Sequence, residues 1–163
     1  MFRVAVITSS DSSYAGIRED KSGPMIKRIL EGTSLEVIYE RLLPDEFDLL
    51  KEELIRICDN DEVDLILTTG GTGLSSRDCM PEVTMEVIER EVPGIPEAMR
   101  MYSLQITKRA MLSRAVAGVR KNTLIINLPG SPKAVKECLD YIVDALQHGL
   151  EILRGHTGNC ATL

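Results

Sequence analysis

Apolar and polar residues follow one another along this chain in two periods, and the switches between the periods lay out its elements. Phe2-Arg3-Val4-Ala5-Val6-Ile7-Thr8 is a short, nearly continuous apolar run, which reads as a strand buried on both faces. Ser22-Gly23-Pro24 opens a helix with Met25, Ile26, Ile29 and Leu30 at helical spacing, and Gly32 stops it. Residues 35–43 predict a second strand. Residues 47–58 predict a second helix, with Phe47, Leu50, Leu54, Ile57 and Cys58 on its apolar face. A third strand over 64–69 is again short and apolar. Helices are predicted over 81–91 and 95–107. Residues 115–120 and 123–128 flank Lys121-Asn122 and predict two paired strands joined by a tight turn. Ser131-Pro132, a capping residue before a proline at the first helical position, starts a long helix to about residue 154.

The order β-α-β-α-β-α-α-β-β-α predicts an α/β fold, a three-layer sandwich around a mostly parallel sheet. No repeat, low-complexity run or linker divides the chain. Residues 1–163 therefore read as one domain, with 155–163 as a C-terminal tail. With two Phe, four Tyr and no Trp, the core must be built from Ile, Leu, Val and Met.

Charge and cysteine usage narrow the function. A formal charge of −6 argues against a nucleic-acid binder, which needs a basic face to displace phosphate counterions. Local basic residues still accompany the loops, at Lys21, Arg77, Arg114 and Lys133. Cys58, Cys79, Cys138 and Cys160 form no C-x-x-C pair, and His148 and His156 supply no zinc spacing. Reduced thiols are expected, with Cys58 and Cys138 as small core hydrophobes. The chain enters its first strand without a charged leader and cleavage site. No run approaches the ~18 apolar residues of a membrane span. These features predict a soluble, cytoplasmic protein with no membrane partner.

In open parallel sheets ligands bind beyond the carboxyl ends of the strands. Those ends carry Ser9-Ser10-Asp11-Ser12-Ser13, Pro44-Asp45-Glu46, Gly70-Gly71-Thr72-Gly73 with Ser75-Ser76-Arg77-Asp78, and Pro129-Gly130-Ser131. If the strands run parallel, one rim gathers hydroxyls, bare backbone and the carboxylates of Asp45 and Asp78. That chemistry suits a phosphate ester and a hard cation such as Mg²⁺. The residues alone leave other readings open. The glycine loop lacks the P-loop lysine and could be a plain βα turn. Asp45 could cap the second helix, Asp78 could be a turn acid, and Ser131 reads as a helix cap in any case.

Six blocks, in order, resemble one family. They are Ser13-Tyr14-Ala15-Gly16-Ile17-Arg18-Glu19-Asp20-Lys21-Ser22-Gly23; Leu43-Pro44-Asp45-Glu46; Thr68-Thr69-Gly70-Gly71-Thr72-Gly73 with Arg77-Asp78; Pro93-Gly94-Ile95-Pro96-Glu97-Ala98-Met99-Arg100; Leu112-Ser113-Arg114; and Asn127-Leu128-Pro129-Gly130-Ser131-Pro132. The chain is similar, from Val4 to about His156, to the MogA/MoaB-type molybdopterin-binding proteins, which also form the first domain of gephyrin. The resemblance implies molybdenum cofactor biosynthesis by Mg²⁺- and ATP-dependent adenylylation of molybdopterin, releasing pyrophosphate. It implies Asp45 and Asp78 as the catalytic, magnesium-holding pair. It implies Gly70, Gly71, Thr72, Gly73, Ser113, Asn127, Pro129, Gly130 and Ser131 as binding residues for pterin and nucleotide. It further implies a homo-oligomer, trimeric or hexameric, working with other proteins of the same pathway. A non-catalytic molybdopterin carrier is the alternative. One departure bears on it: members often have Thr before the Pro-Glu that follows the second aspartate, and this chain has Met80.

Overall fold

The computed structural model describes residues 1–155. Its sheet has six strands in the order β2-β1-β3-β6-β5-β4. Here β1 is Phe2–Ser9, β2 Leu35–Leu43, β3 Leu65–Thr69, β4 Arg90–Glu91, β5 Ala117–Arg120 and β6 Thr123–Leu128. The pairs β2-β1, β1-β3 and β3-β6 are parallel, while β5 runs against both β6 and β4. The mostly parallel sheet and the layering follow the sequence reading.

Register explains why the inner strands are apolar without alternation. Val4, Leu65 and Leu124 lie level across three strands, as do their neighbours Ala5, Ile66 and Ile125. The first row faces a core shared with Ile26, Leu30, Leu139 and Ile142. The second faces a core shared with Leu50, Leu54, Ile57 and Val83. Successive side chains of a strand point to opposite faces, so a strand covered on both sides must be apolar throughout. One cover consists of α2 (Ser22–Leu30), α5 (Gly94–Leu104) and α6 (Pro132–Leu153); the other consists of α3 (Phe47–Asp59) and α4 (Met80–Val87). Leu54 is fully buried on α3. Burying such a side chain contributes about 1.5–3 kcal/mol, and truncating it to Ala costs about 2–5 kcal/mol. Cys58 and Cys138 are buried, as expected, and burial pushes the Cys58 thiol up to about 11.

The helix predicted over 81–91 is shorter than expected. It ends at Val87, and Arg90–Glu91 pairs with β5 as a two-residue edge strand. The helix predicted over 95–107 ends at Leu104, and a 3-10 turn follows over Lys108–Leu112. A short helix, α1, over Asp11–Tyr14 has no counterpart in the sequence pattern. Lys121 takes a φ of 50° in the two-residue connection between β5 and β6. The expected tail over 155–163, with Cys160 and His156, lies outside the described residues from 156 onward.

This topology positions a site. From β1 the chain crosses through α2 to β2 on one side; from β2 it crosses through α3 to β3 on the other. The chain leaves β1 toward α2 and leaves β3 toward α4, on opposite faces, so the adjacent carboxyl ends of β1 and β3 form the switch point at which such sheets open a crevice.

Candidate active site

At that switch point lies a cleft of about 320 Å³. Its walls are Ser9 and Ser10 from the end of β1, Asp45 after β2, Gly70, Gly71 and Asp78 after β3, and Gly130 and Ser131 after β6. Both predicted carboxylates therefore border one space.

Asp45 is not a helix cap. The N-cap of α3 is Glu46, which makes no side-chain capping bond. The Asp45 carboxylate accepts instead from the Ser9 hydroxyl at 2.5 Å and from the Asp11 backbone N–H at 2.9 Å. In return the Asp45 backbone N–H donates to the Asp11 carboxylate at 2.9 Å. Asp11 is tied onward to Arg77, whose Nε and Nη2 donate to it at 2.9 and 3.1 Å, and Arg77 also reaches Glu46 at 2.7 Å. The Arg77 guanidinium, followed by the Asp45 N–H, holds the Asp11 carboxyl below its ordinary range.

Asp78 turns back on its own loop, accepting the Ser75 N–H on Oδ2 at 3.0 Å. Arg114 braces the same loop: it donates to the carbonyls of Gly73 at 2.7 Å and Asp78 at 2.9 Å, and pairs with Glu82. The glycines are needed sterically. Gly70 and Gly71 have φ of 92° and 67°, and a Cβ on Gly70 would overlap the Ser9 carbonyl oxygen. A Cβ on Gly71 would stand 3.4 Å from Asp45 Oδ1 and 3.3 Å from the Met80 Cβ.

A second cavity of about 330 Å³ opens on the other side of the same loops, mostly apolar, with Met99, Leu112 and Pro129 among its walls. Thr72, Gly73 and Ser113 line it, and Ser131 borders both spaces while capping α6 through the Ala134 N–H. The loop between the cavities is pinned by Thr69 Oγ1, which donates to the Pro129 carbonyl at 2.6 Å, and by Ser22 Oγ, which donates to the Gly130 carbonyl at 2.8 Å.

Asn127 is fully buried and lines neither cavity. Its amide N–H groups bond Thr68 and Thr84, and its carbonyl accepts the Val116 N–H. Strand parity places it on the α3/α4 side of β6, so it joins β6 to α4 and β3. Met80 likewise points into the core, and the N-cap of α4 is Cys79 rather than residue 80.

Sequence reasoning passed over Asp11, Arg18 and Asp20 as individual residues. Asp11 braces Asp45, while Arg18 and Asp20 line the polar cleft. Asp20 accepts the Thr8 hydroxyl and the N–H groups of Ser22 and Gly23, which caps α2. Asp20 two residues before a helix start was a readable capping signal; the Asp11 contact, 34 residues from Asp45, was not.

The donor set suits magnesium. That ion takes one or two protein carboxylates and completes its shell with water and phosphate oxygens. Asp45 and Asp78 supply two, and among the described residues no cluster of three or more His, Cys, Asp or Glu forms a cage. Also among the described residues, no helix is long and apolar enough to cross a membrane.

The molybdopterin adenylyltransferase of Helicobacter pylori strain 26695 is 42% identical over 156 residues, covering 94% of this chain and 88% of that protein. The Escherichia coli K12 molybdopterin adenylyltransferase is 40% identical over 88% of this chain and 74% of its own length. The structure of the molybdopterin biosynthesis enzyme MoaB from Thermus thermophilus superposes with a TM-score of 0.91 at 47% identity, over 95% of this chain and 98% of that one. Residues 5–148 match the probable molybdopterin binding domain, and the chain belongs to that family.

Proposed function

We propose that this protein is a molybdopterin adenylyltransferase of molybdenum cofactor biosynthesis, joining AMP to the phosphate of molybdopterin with release of pyrophosphate. Relatives of that name, at 40–42% identity over most of the chain, support the activity. The observation that carries the assignment to a site is the pair Asp45 and Asp78 on one hydroxyl-rich cleft beside the Gly70–Gly71 turn.

The phosphate oxygen of molybdopterin attacks the α-phosphorus of ATP. The bond from that phosphorus to the bridging oxygen breaks, and its electron pair leaves with pyrophosphate. A phosphate monoester is already anionic, so no strong base is needed. The barrier lies in bringing two anions together in line. The polar cleft takes the phosphates, and the apolar cavity across Ser131 takes a ring system. Ser9 and the Asp11 N–H fix the Asp45 carboxylate, and Arg114 fixes the loop that carries Asp78. Positioning of this kind supplies up to about 7–11 kcal/mol of barrier reduction. Asp45 and Asp78 would hold Mg²⁺, which supplies charge neutralisation on the phosphates when bound. Family membership supports the further proposals of a trimeric or hexameric assembly and a cytoplasmic location alongside other proteins of the pathway.

Incubation with ATP, Mg²⁺ and molybdopterin, followed by chromatography, tests the reading. Adenylyl-molybdopterin and pyrophosphate should form in equal amounts, and only when both substrates are present. Tight pterin binding with no ATP consumed would favour the carrier instead.

A further inference from the structure

Three arginines stand around the polar cleft, and two are committed. Arg77 is held by Asp11 and Glu46. Arg114 is held by two backbone carbonyls and Glu82. Arg18 is different. It is the one Lys or Arg among the described residues lining the cleft, it is exposed, and its guanidinium has no hydrogen-bond or ion-pair partner among the described residues.

Its segment is nonetheless fixed. The Arg18 N–H donates to the Ser12 carbonyl at 3.2 Å, after a turn at Gly16 with φ of 73°. Two residues on, the Asp20 carboxylate is saturated by the Thr8 hydroxyl at 2.7 Å and by the Ser22 and Gly23 N–H groups at 2.9 and 3.2 Å. A Cβ on Gly23 would come within 2.8 Å of Asp20 Oδ2, so a side chain there would displace the Asp20 carboxylate. An arginine with no partner among the described residues thus sits on a pinned loop at the rim of a cleft that otherwise presents three carboxylates. A guanidinium offers paired donors to phosphate oxygens, and hydrogen bonds to such charges are the strong ones.

We propose that Arg18 binds the leaving pyrophosphate, as the β- and γ-phosphates of the bound nucleoside triphosphate before transfer and as free product after it. Pyrophosphate is the ring-free participant with the most charge for its size, and the wall carrying Arg18 belongs to the polar cleft and not to the apolar cavity. Negative charge grows on this group as the bridging bond breaks, and the guanidinium offsets it. The proposal rests on the adenylyl-transfer reading and names the residue for one product of it.

The test is calorimetric titration of inorganic pyrophosphate, with Mg²⁺, into wild type, Arg18→Ala and Arg18→Lys, with thermal melts to confirm folding. Arg18→Ala should bind pyrophosphate at least about tenfold more weakly, the scale of one lost charge-assisted bond, and Arg18→Lys should recover part of it. In steady state the KM for ATP should rise while that for molybdopterin stays put. Equal pyrophosphate affinity in wild type and Arg18→Ala overturns the proposal, as does a well-folded wild type that fails to bind pyrophosphate. So does a rise confined to the molybdopterin KM. Failure of the adenylyl-transfer reading shows separately, as absent turnover by a wild type that still binds pyrophosphate through Arg18.

Discussion

Asp11 and Asp45 each donate a backbone N–H to the other's carboxylate, both at 2.9 Å, across 34 residues of sequence. This reciprocal pair joins the end of β1 to the end of β2 and fixes one of the two acids of the cleft. Arg77 extends it to the loop that carries Asp78. The separation of the two carboxylates is therefore set by a chain of contacts, each open to test.

Asp11→Ala removes the acceptor for both the Asp45 N–H and Arg77. Its turnover should fall about tenfold or more, since small misplacements of a catalytic group are costly. Asp11→Asn keeps one acceptor oxygen and should recover part of the rate. Steady-state kinetics on the two variants decide it; equal rates in Asp11→Ala and wild type would remove Asp11 from the positioning of Asp45.

Asn127→Ala leaves the Thr68 and Thr84 hydroxyls and the Val116 N–H without their buried partner. A loss of roughly 2–4 kcal/mol in urea unfolding is expected, from unsatisfied polar groups and a small cavity. Asp45→Ala should behave oppositely, with turnover abolished and stability changed by only about 1–2 kcal/mol. A stable but inactive Asn127→Ala would return that residue to the substrate site.

Acid should destabilise the fold partly through Glu53. Burial alone would push its carboxyl up, but hydrogen bonds from Arg56 and Tyr39 and the charges of Arg56 and Arg41 outweigh burial and hold it below its usual value. A depressed folded-state pKa contributes stability that is present above the unfolded value near about 4.3 and is lost as pH falls through the folded one. Urea midpoints between about pH 6 and pH 3 should drop in wild type, and Glu53→Gln should be less stable at the upper end with a shallower decline. Parallel declines would exclude Glu53 as a contributor.

Gly70→Ala forces a side chain onto a φ of 92° and against the Ser9 carbonyl. The loop must shift and carry Asp78 with it. Turnover should fall by about a hundredfold, the scale of an ångström of misplacement, with a melting temperature several degrees lower.

The β1, β3 and β6 framework was legible because strands covered on both faces must be continuously apolar, and Val4 through Ile7 and Leu65 through Leu67 have that character. The strand-end rule then placed Asp45, Asp78 and the glycine turn on one rim. Exposed Arg90–Glu91 carries no apolar signal, so β4 was hidden inside an expected helix. Asn127 entered the expected binding set through the resemblance alone, and its parity with Ile125 points it to the α3/α4 core. The bracing of Asp45 by Asp11, and of Asp78 by Arg114, arises only from folding, since no local spacing records contacts 34 and 36 residues apart.

The most direct test is the Mg²⁺ dependence of pyrophosphate release by wild type, Asp45→Asn and Asp78→Asn, which preserve size and remove charge. If the two carboxylates share one magnesium–phosphate site, each variant should need more Mg²⁺ and run at least about a hundredfold slower. A wild-type rate and an unchanged Mg²⁺ requirement in either variant would contradict it.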